Sequence, residues 1–131
     1  MKSLPIEVIE EVFMKKEKSK LVIGSFYMAY GGHQHPARII AYDEKHKTFI
    51  SIKFGITQGR HMIEIHPIQV GVNKSFVHVR PFEGTRKDYG KRELVGLSID
   101  ERDTVIIEII KRREPTRSKR AKERYKNKKC R

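Results

Sequence analysis

Histidines are the side chains in this sequence that could hold a metal ion or move a proton near neutral pH. His33 and His35 are two residues apart, and His61, His66 and His78 lie on neighbouring predicted strands. Imidazole nitrogens bind zinc, but zinc sites usually combine them with Cys, Asp or Glu at characteristic spacings. No cysteine or compact carboxylate motif accompanies these histidines. The pattern therefore predicts neither a metal site nor a cofactor, and histidines scattered over the surface explain it as well.

A basic stretch with two aromatic residues occupies residues 80–92. Its cations can hold a phosphate backbone, and its rings can stack on unpaired bases. Pro81, Gly84 and Gly90 interrupt it, so we predict a long exposed loop of the kind that often carries function. An ordinary charged loop is the alternative. The predicted nucleic-acid contacts here are Arg80, Phe82, Arg86, Lys87, Tyr89 and Arg92.

Most of the excess positive charge lies at the C-terminal end. The 131 residues include 29 Lys and Arg against 16 Asp and Glu, a net charge of +13. Residues 111–131 hold 12 basic and two acidic residues, so they carry +10 and residues 1–110 carry only +3. Clustered cations release counterions from phosphates and bind nucleic acid without sequence preference. A solvated extension that aids solubility is the alternative. The predicted contacts in this tail are Arg117, Lys119, Arg120, Lys122 and Arg124.

The global features indicate one small domain in a reducing cytoplasm. A chain of this length fits one domain with appendages. The single Cys130 has no partner for a disulfide within the chain. Pro5 and several glutamates interrupt the N-terminus where a secretory peptide needs an apolar run. No stretch approaches the roughly 18 consecutive apolar residues that a membrane span requires, so we expect no membrane partner.

The elements that must position these groups are mainly short strands. Ile6, Ile9 and Phe13 recur at helical spacing after Ser3, which predicts an amphipathic helix and a charged linker over residues 1–19. A β-rich core domain follows over 20–112, and a basic, disordered or helical tail over 113–131. Blocks of apolar and β-branched residues predict strands near 21–30, 37–43, 48–54, 61–68 and 75–80.

Local patterns refine this β-rich core. Residues 43–47 are typical of a hairpin turn, and the alternation that follows predicts that Ser51 and Lys53 point outward. Residues 98–101 match a capping box and predict a helix over about 98–112, although so β-branched a run could also form a strand. The expected fold class is α+β, mainly β: a small curled antiparallel sheet or partly open barrel flanked by helices.

Four segments stand in an order that resembles the MazF/PemK-like toxin family. They are GGHQHPARII at 31–40, FGITQ at 54–58, KSFV at 74–77 and LVGLS at 94–98. That family has a glycine-containing loop ending in Arg-Pro before a strand, a second strand ending in Thr or Ser, a Ser-Val-Val-like strand and a late helix. The resemblance covers about residues 20–112. It implies an SH3-like barrel, a homodimer, an antitoxin partner of protein or RNA, and metal-independent cleavage of single-stranded RNA through a cyclic phosphate.

The resemblance also implies site residues. The family's catalytic Arg falls on His35 and its catalytic Thr or Ser on Thr57. Arginine can only stabilise phosphate charge, whereas histidine titrates near neutrality and can act as general base or general acid. Thr57 can hold a phosphate oxygen by hydrogen bonding. Because His35 stands where the family has its catalytic Arg, the sequence is equally consistent with a protein that binds RNA without cleaving it.

Three classes of function therefore remain open. The first is a toxin-type endoribonuclease with phosphate contacts at Arg38, Arg60, Arg80 and Arg86. The second is a non-catalytic RNA- or DNA-binding module, such as an accessory protein of a mobile element or a ribosome-associated factor. The third is an interaction domain for proteins alone, which does not need the basic tail. RNA, preferably single-stranded, is the expected partner, with DNA as the alternative.

Overall fold

The fold is dominated by one mainly antiparallel sheet. The computed structural model describes residues 20–30, 33–120, 122 and 123. Within them, the sheet order is β4-β5-β3-β2-β1-β7, with β6 paired to β3 and β8 paired in parallel to β6. The strands are β1 (Phe26–Ala29), β2 (His35–Asp43), β3 (Thr48–Gly55), β4 (Met62–Ile65), β5 (Ser75–His78), β6 (Phe82–Gly84), β7 (Tyr89–Leu94) and β8 (Thr116–Arg117). This confirms the mainly β class; the predicted N-terminal helix lies outside the described residues.

The five predicted strands all form, and the turn between β2 and β3 lies where the sequence indicated. Asp43 Oδ1 accepts hydrogen bonds from the backbone N–H groups of Lys45 (3.1 Å) and His46 (3.3 Å). Lys47 closes the turn with a positive φ of 54°. β2 and β3 then pair in antiparallel register from Asp43 opposite Thr48 to Ala37 opposite Lys53. This hairpin is the centre of the sheet.

β3 is buried on both faces. It pairs with β2 along most of its length, with β6 near its start and with β5 at its end. The prediction that Ser51 and Lys53 point outward is therefore wrong, because both side chains are buried. The Ser51 hydroxyl lies 2.9 Å from that of Tyr89, which makes its burial tolerable. Local alternation could not reveal that a second layer covers the polar face.

Two apolar clusters lie on opposite faces of the sheet. One is built around Phe49, Phe82 and Tyr89. The other contains Ile52 and Phe54 of β3 with Ile107 and Ile110 of helix α1 (Thr104–Lys111). The β-branched run forms a helix because its apolar residues recur at helical spacing and face this second cluster. No helix in the described ranges is long and apolar enough to cross a bilayer.

The helix begins later than its predicted capping box. A 3₁₀ turn at Glu101–Asp103 precedes α1, and the Asp100 side chain caps it by accepting a 2.9 Å hydrogen bond from the Arg102 N–H. The prediction of a helix within 98–112 is confirmed, but the expected role of Ser98 at its start is wrong. Asp100 has the carboxylate nearest to the free N–H groups and takes that role.

Residues 80–92 are not the predicted loop. They form β6, a 3₁₀ turn at Arg86–Asp88, and β7. The turn is closed by a 2.7 Å bond from the Thr85 N–H to the Asp88 carboxylate and by a 2.9 Å bond from the Asp88 N–H to the Thr85 carbonyl. Burial of the two aromatic rings outweighs the turn-forming tendency of the glycines.

The start of the predicted tail also belongs to the sheet. The Thr116 N–H donates to the Pro81 carbonyl (2.8 Å) and the Ser118 N–H to the Glu83 carbonyl (2.7 Å). The buried Glu83 carboxylate accepts the Thr48 hydroxyl at 2.6 Å and lies 3.4 Å from Arg117 Nε. Residues 116–118 are therefore strand and strand end, where the sequence predicted a disordered or helical segment.

Candidate functional site: a cationic cleft with paired histidines

A cleft of about 630 Å³ opens where β5 ends and β6 begins, beside β8. Four of its lining side chains are Lys or Arg, and no Asp or Glu is among the described residues that line it. A concave surface lined by one sign of charge concentrates an electrostatic field and favours anionic ligands. The lining residues are Lys53, Arg60, His61, His78, Val79, Arg80, Pro81, Phe82, Arg113 and Thr116.

Two histidines from different strands are in contact, and one of them, His78, lines this cleft. His78 ends β5 and lines the cleft, while His35 begins β2; their ring centroids are 5.3 Å apart at an angle of 66°. Gly55 of β3 lies against His35, since a Cβ at this position would lie 3.6 Å from His35 Nδ1 and 3.0 Å from Met62 Cε. The missing side chain lets the imidazole approach the backbone of β3.

Burial lowers the pKa of both imidazoles. For His35, burial has the largest effect and the positive charges of Lys53 and His33 add to it. For His78, burial is again the main cause, followed by His35, Lys53 and His61. Both rings therefore favour the neutral form, which can accept a proton.

One nitrogen of this pair has an unmet hydrogen-bonding capacity. His78 Nε2 is buried, and no hydrogen-bond partner for it exists among the described residues. A buried polar atom without a partner costs about 1–3 kcal/mol. Such atoms call for an explanation, and a site at which a ligand supplies the partner is one. This observation sets His78 apart from a histidine that only packs.

Lys53 lies beneath the cleft and carries its most buried positive charge. The side chain is only 9% exposed, and its Nζ lies 3.8 Å from the centroid of the Phe82 ring. Burial lowers the pKa of Lys53, and the charge of Asp88 partly opposes that effect. Sequence reasoning missed Lys53 because it read this face of β3 as exposed. No local signal pointed to its burial, because the apolar neighbours Ile52 and Phe54 face the opposite side of the strand.

Neither member of the predicted catalytic pair, His35 and Thr57, is among the residues that line the cleft. Thr57 is exposed in the bend after β3 and is not among the residues lining the cleft, whereas His35 lies beside His78. Arg60 and Arg80, two of the predicted phosphate contacts, line the cleft. Arg113 also lines it and was not predicted as a contact.

Arg38 and Arg86 have structural contacts elsewhere. Arg38 Nε donates to the Gly24 carbonyl at 3.2 Å. Arg86 Nη1 donates to the carbonyls of Tyr89 (3.2 Å) and Gly90 (3.0 Å), which ties the 3₁₀ turn to β7. Both guanidinium groups thus use part of their donor capacity to stabilise the backbone, and neither lines the cleft.

The two aromatic rings predicted to stack on bases are buried. Phe82 is 7% exposed and Tyr89 is 3% exposed, and both belong to one apolar cluster. The Tyr89 hydroxyl lies 2.9 Å from that of Ser51 and donates to the Phe49 carbonyl at 3.2 Å, and burial raises the pKa of Tyr89. The stacking prediction for these rings is wrong, because the apolar faces that would meet a base already pack in the core.

The remaining predicted contacts differ in their surroundings. Lys87 is exposed in the 3₁₀ turn, and Arg92 is exposed in β7. Arg117 pairs with Glu83, so its charge is partly neutralised. Lys119, Arg120 and Lys122 are exposed after β8, and Arg124 lies outside the described residues. Because Arg113 and Thr116 line the cleft, the basic tail leaves the sheet beside it.

Sequence profiles of known families, curated proteins and solved structures yield no match to this chain. In the described ranges, no three His, Cys, Asp or Glu side chains are grouped so that they could hold a metal ion. The groups available for chemistry at the candidate site are two half-buried imidazoles, one buried ammonium and three guanidinium groups.

Proposed function

We propose that this protein binds single-stranded RNA in the cationic cleft and cleaves it without a metal ion. The observation that carries the proposal is the pair of imidazoles, His35 and His78, with centroids 5.3 Å apart beside the buried Lys53. Two histidines can supply the base and the acid that phosphodiester transfer to a 2′-hydroxyl requires. The lining arginines supply the charge that attracts and holds the phosphate.

The proposed reaction needs two proton transfers. One neutral imidazole accepts the proton of the ribose 2′-hydroxyl as its oxygen attacks phosphorus. The P–O5′ bond breaks, a 2′,3′-cyclic phosphate forms, and the second imidazole, protonated, donates its proton to the leaving O5′. A bound phosphodiester raises the pKa of a nearby histidine because its negative charge favours imidazolium. The substrate thus helps to create the acid that the reaction uses.

The cations have a separate role in this proposal. Negative charge accumulates on the non-bridging phosphate oxygens as the 2′-oxygen adds, and preorganised donors in a partly dry site stabilise it. Lys53 is suited to this because it is already desolvated. Arg60, Arg80 and Arg113 are suited to orienting the strand. Thr57 has no role in this version of the reaction.

The proposal includes a relationship to the MazF/PemK-like toxins, and with it an SH3-like barrel, a homodimer, an antitoxin partner and a cytoplasmic location. Its support is the order of the four sequence segments together with a mainly antiparallel sheet. Light scattering on the purified chain tests the homodimer, for which the mass of two chains is expected. Growth arrest on induction tests the toxin activity.

RNA cleavage in EDTA tests the reaction. We expect the wild-type protein to cut single-stranded RNA and to leave the matching DNA intact, because DNA lacks the attacking hydroxyl. His35→Ala and His78→Asn should each lower the rate by about 100-fold or more. His46→Asn is the matched control, since His46 bonds to Asp43 in the turn between β2 and β3. Thermal unfolding of each variant separates lost chemistry from lost folding.

The same assay also tests the alternative that the protein is a non-catalytic binding module. Intact RNA in a stable complex with the wild-type protein would show that the cleft only binds, as a non-catalytic RNA- or DNA-binding accessory protein does. Cleavage that persists at the wild-type rate in both histidine variants would refute the proposed site. Cleavage that survives in His78→Asn but is lost in both His35→Ala and Thr57→Ala would favour the residue pair that the family resemblance implies.

A further inference from the structure

A second basic groove lies beside β7. It has a volume of about 580 Å³ and is formed by the 3₁₀ turn and β7. Its exposed cations are Lys87, Lys91 and Arg92, and no ion pair joins them to any described residue. Arg86 also lines the groove and anchors its wall, since Nη1 bonds to the Tyr89 and Gly90 carbonyls. Three solvated cations close together suit a phosphate backbone.

An exposed aromatic ring stands at the same place. Tyr30 is 47% exposed, and its backbone N–H donates to the Asp88 carbonyl at 2.8 Å, which anchors it to the 3₁₀ turn. Its hydroxyl reaches over Gly90, because a Cβ at that position would lie 3.3 Å from the hydroxyl oxygen and 3.5 Å from Met28 Cβ. Glycine at position 90 therefore lets the ring approach β7. The carbonyl of the same glycine accepts a hydrogen bond from Arg86.

The groove and the cleft are close along the sheet. Ala29 of β1 pairs with His35 on one side and with Tyr89 on the other. Neighbouring strands are about 4.8 Å apart, so the backbone at Tyr89 is roughly 10 Å from that at His35. Tyr30 directly follows Ala29, which puts it between the two. A nucleic-acid strand held in the cleft can reach the groove by crossing β1.

We propose that Tyr30 and the groove cations form a second RNA subsite, in which an unpaired base stacks on the Tyr30 ring while Lys87, Lys91 and Arg92 hold the flanking phosphates. This inference rests on the proposed function and specifies its substrate as a strand that is unpaired beyond the reacting phosphate. A paired base inside a duplex cannot present its face to an aromatic ring. The stacking platform is thus Tyr30, in place of the buried rings of Phe82 and Tyr89.

Fluorescence anisotropy with a labelled RNA of about 12 nucleotides tests the subsite. Tyr30→Ala should weaken binding of the single strand by about 5- to 150-fold, the range of one lost base–aromatic stack. Tyr30→Phe should bind like the wild type, because the ring is kept. Tyr42→Ala is the matched control: Tyr42, in β2, is 43% exposed and packs on Phe49 of β3. It should lower the melting temperature, because it loses this ring contact, and leave the affinity unchanged.

A duplex of the same sequence provides a second comparison. Wild type and Tyr30→Ala should bind the duplex with the same affinity, since a duplex offers no base face to the ring. An equal loss for single strand and duplex, or a Tyr30→Phe variant as weak as Tyr30→Ala, would overturn the stacking role. So would a Tyr30→Ala variant that binds the single strand as tightly as the wild type does.

A dinucleotide substrate separates this inference from the proposed function. It fills the cleft but is too short to reach the groove, so Tyr30→Ala should cleave it at the wild-type rate. Dinucleotide cleavage without any effect of Tyr30→Ala on the longer strand would refute the subsite and leave the reaction standing. No cleavage of either RNA, with the expected loss of binding in Tyr30→Ala, would refute the reaction and leave the subsite standing.

Discussion

Replacement of Lys53 by methionine should separate folding from function most sharply. The Lys53 side chain is 9% exposed, and its Nζ lies 3.8 Å from the Phe82 centroid. Methionine has a similar length and is apolar, so it can keep the packing against the ring. The change removes one buried positive charge and little volume.

Two opposing terms decide the effect on stability. The lost cation–π contact is worth about 1–2 kcal/mol at a desolvated site. Removing the charge relieves a desolvation cost, and this cost exceeds the attraction to Asp88, because the pKa of Lys53 is lowered below its ordinary value despite that attraction. We therefore expect the free energy of unfolding of Lys53→Met to equal or exceed that of the wild type. Most substitutions of buried residues have the opposite effect.

The buried charge of Lys53 also makes the free energy of unfolding depend on pH. Burial lowers the pKa of Lys53 in the folded protein below its ordinary value of 10.5, so the unfolded chain binds more protons in the window just below 10.5. The contribution of Lys53 to the free energy of unfolding therefore rises with pH through that window. The stability advantage of Lys53→Met over wild type should accordingly shrink as the pH approaches 10.5.

RNA cleavage, unlike stability, should decrease in Lys53→Met. A hydrogen bond to a charged group contributes about 1.5–3 kcal/mol, so losing it should lower kcat/KM for RNA cleavage by about 10- to 150-fold. Urea unfolding and a cleavage assay on the same preparation give both quantities. A variant that is clearly less stable, or one that retains full kcat/KM, would refute the view that Lys53 is kept for its charge at the expense of stability.

Two further predictions concern proton transfer and salt. Because burial lowers the pKa of His35 and of His78 below 6.5, kcat/KM against pH should be bell-shaped with its optimum below pH 6.5; an optimum above pH 7 would contradict this assignment. Deleting residues 119–131, which leaves β8 intact, should weaken RNA binding and flatten the dependence of log Kd on log salt by about 0.7 per lost phosphate contact. Titrations of both chains at several salt concentrations check this, and equal slopes would show that the tail does not touch the phosphates.

Local features of the chain were predictable because short-range physics produces them. The β-branched and apolar runs favour extended backbone, and all five predicted strands formed. The helix at Thr104–Lys111 was readable from apolar spacing, although its start was not, because Asp100 and Ser98 are both acceptable caps and only the fold selects between them.

The candidate site depended on contacts that no local pattern encodes. His35 and His78 are 43 residues apart in the chain and meet only because β5 and β2 both flank β3. Phe82 and Tyr89 lie in a basic, glycine-containing stretch, and only the packed sheet shows that their rings are buried while that of Tyr30 is not. Resemblance to a family pattern led to Thr57, which the cleft does not include.

The amino-acid sequence by itself indicated where five of the eight described strands and the helix would form and where positive charge would concentrate, because propensity and charge belong to individual residues and their near neighbours. Only the tertiary structure decided which side chains lose contact with water. Burial depends on what packs against a face from a distant part of the chain, and it is burial that lowers the pKa of Lys53, His35 and His78. Lys53 and His78 line one cleft, and His35 contacts His78.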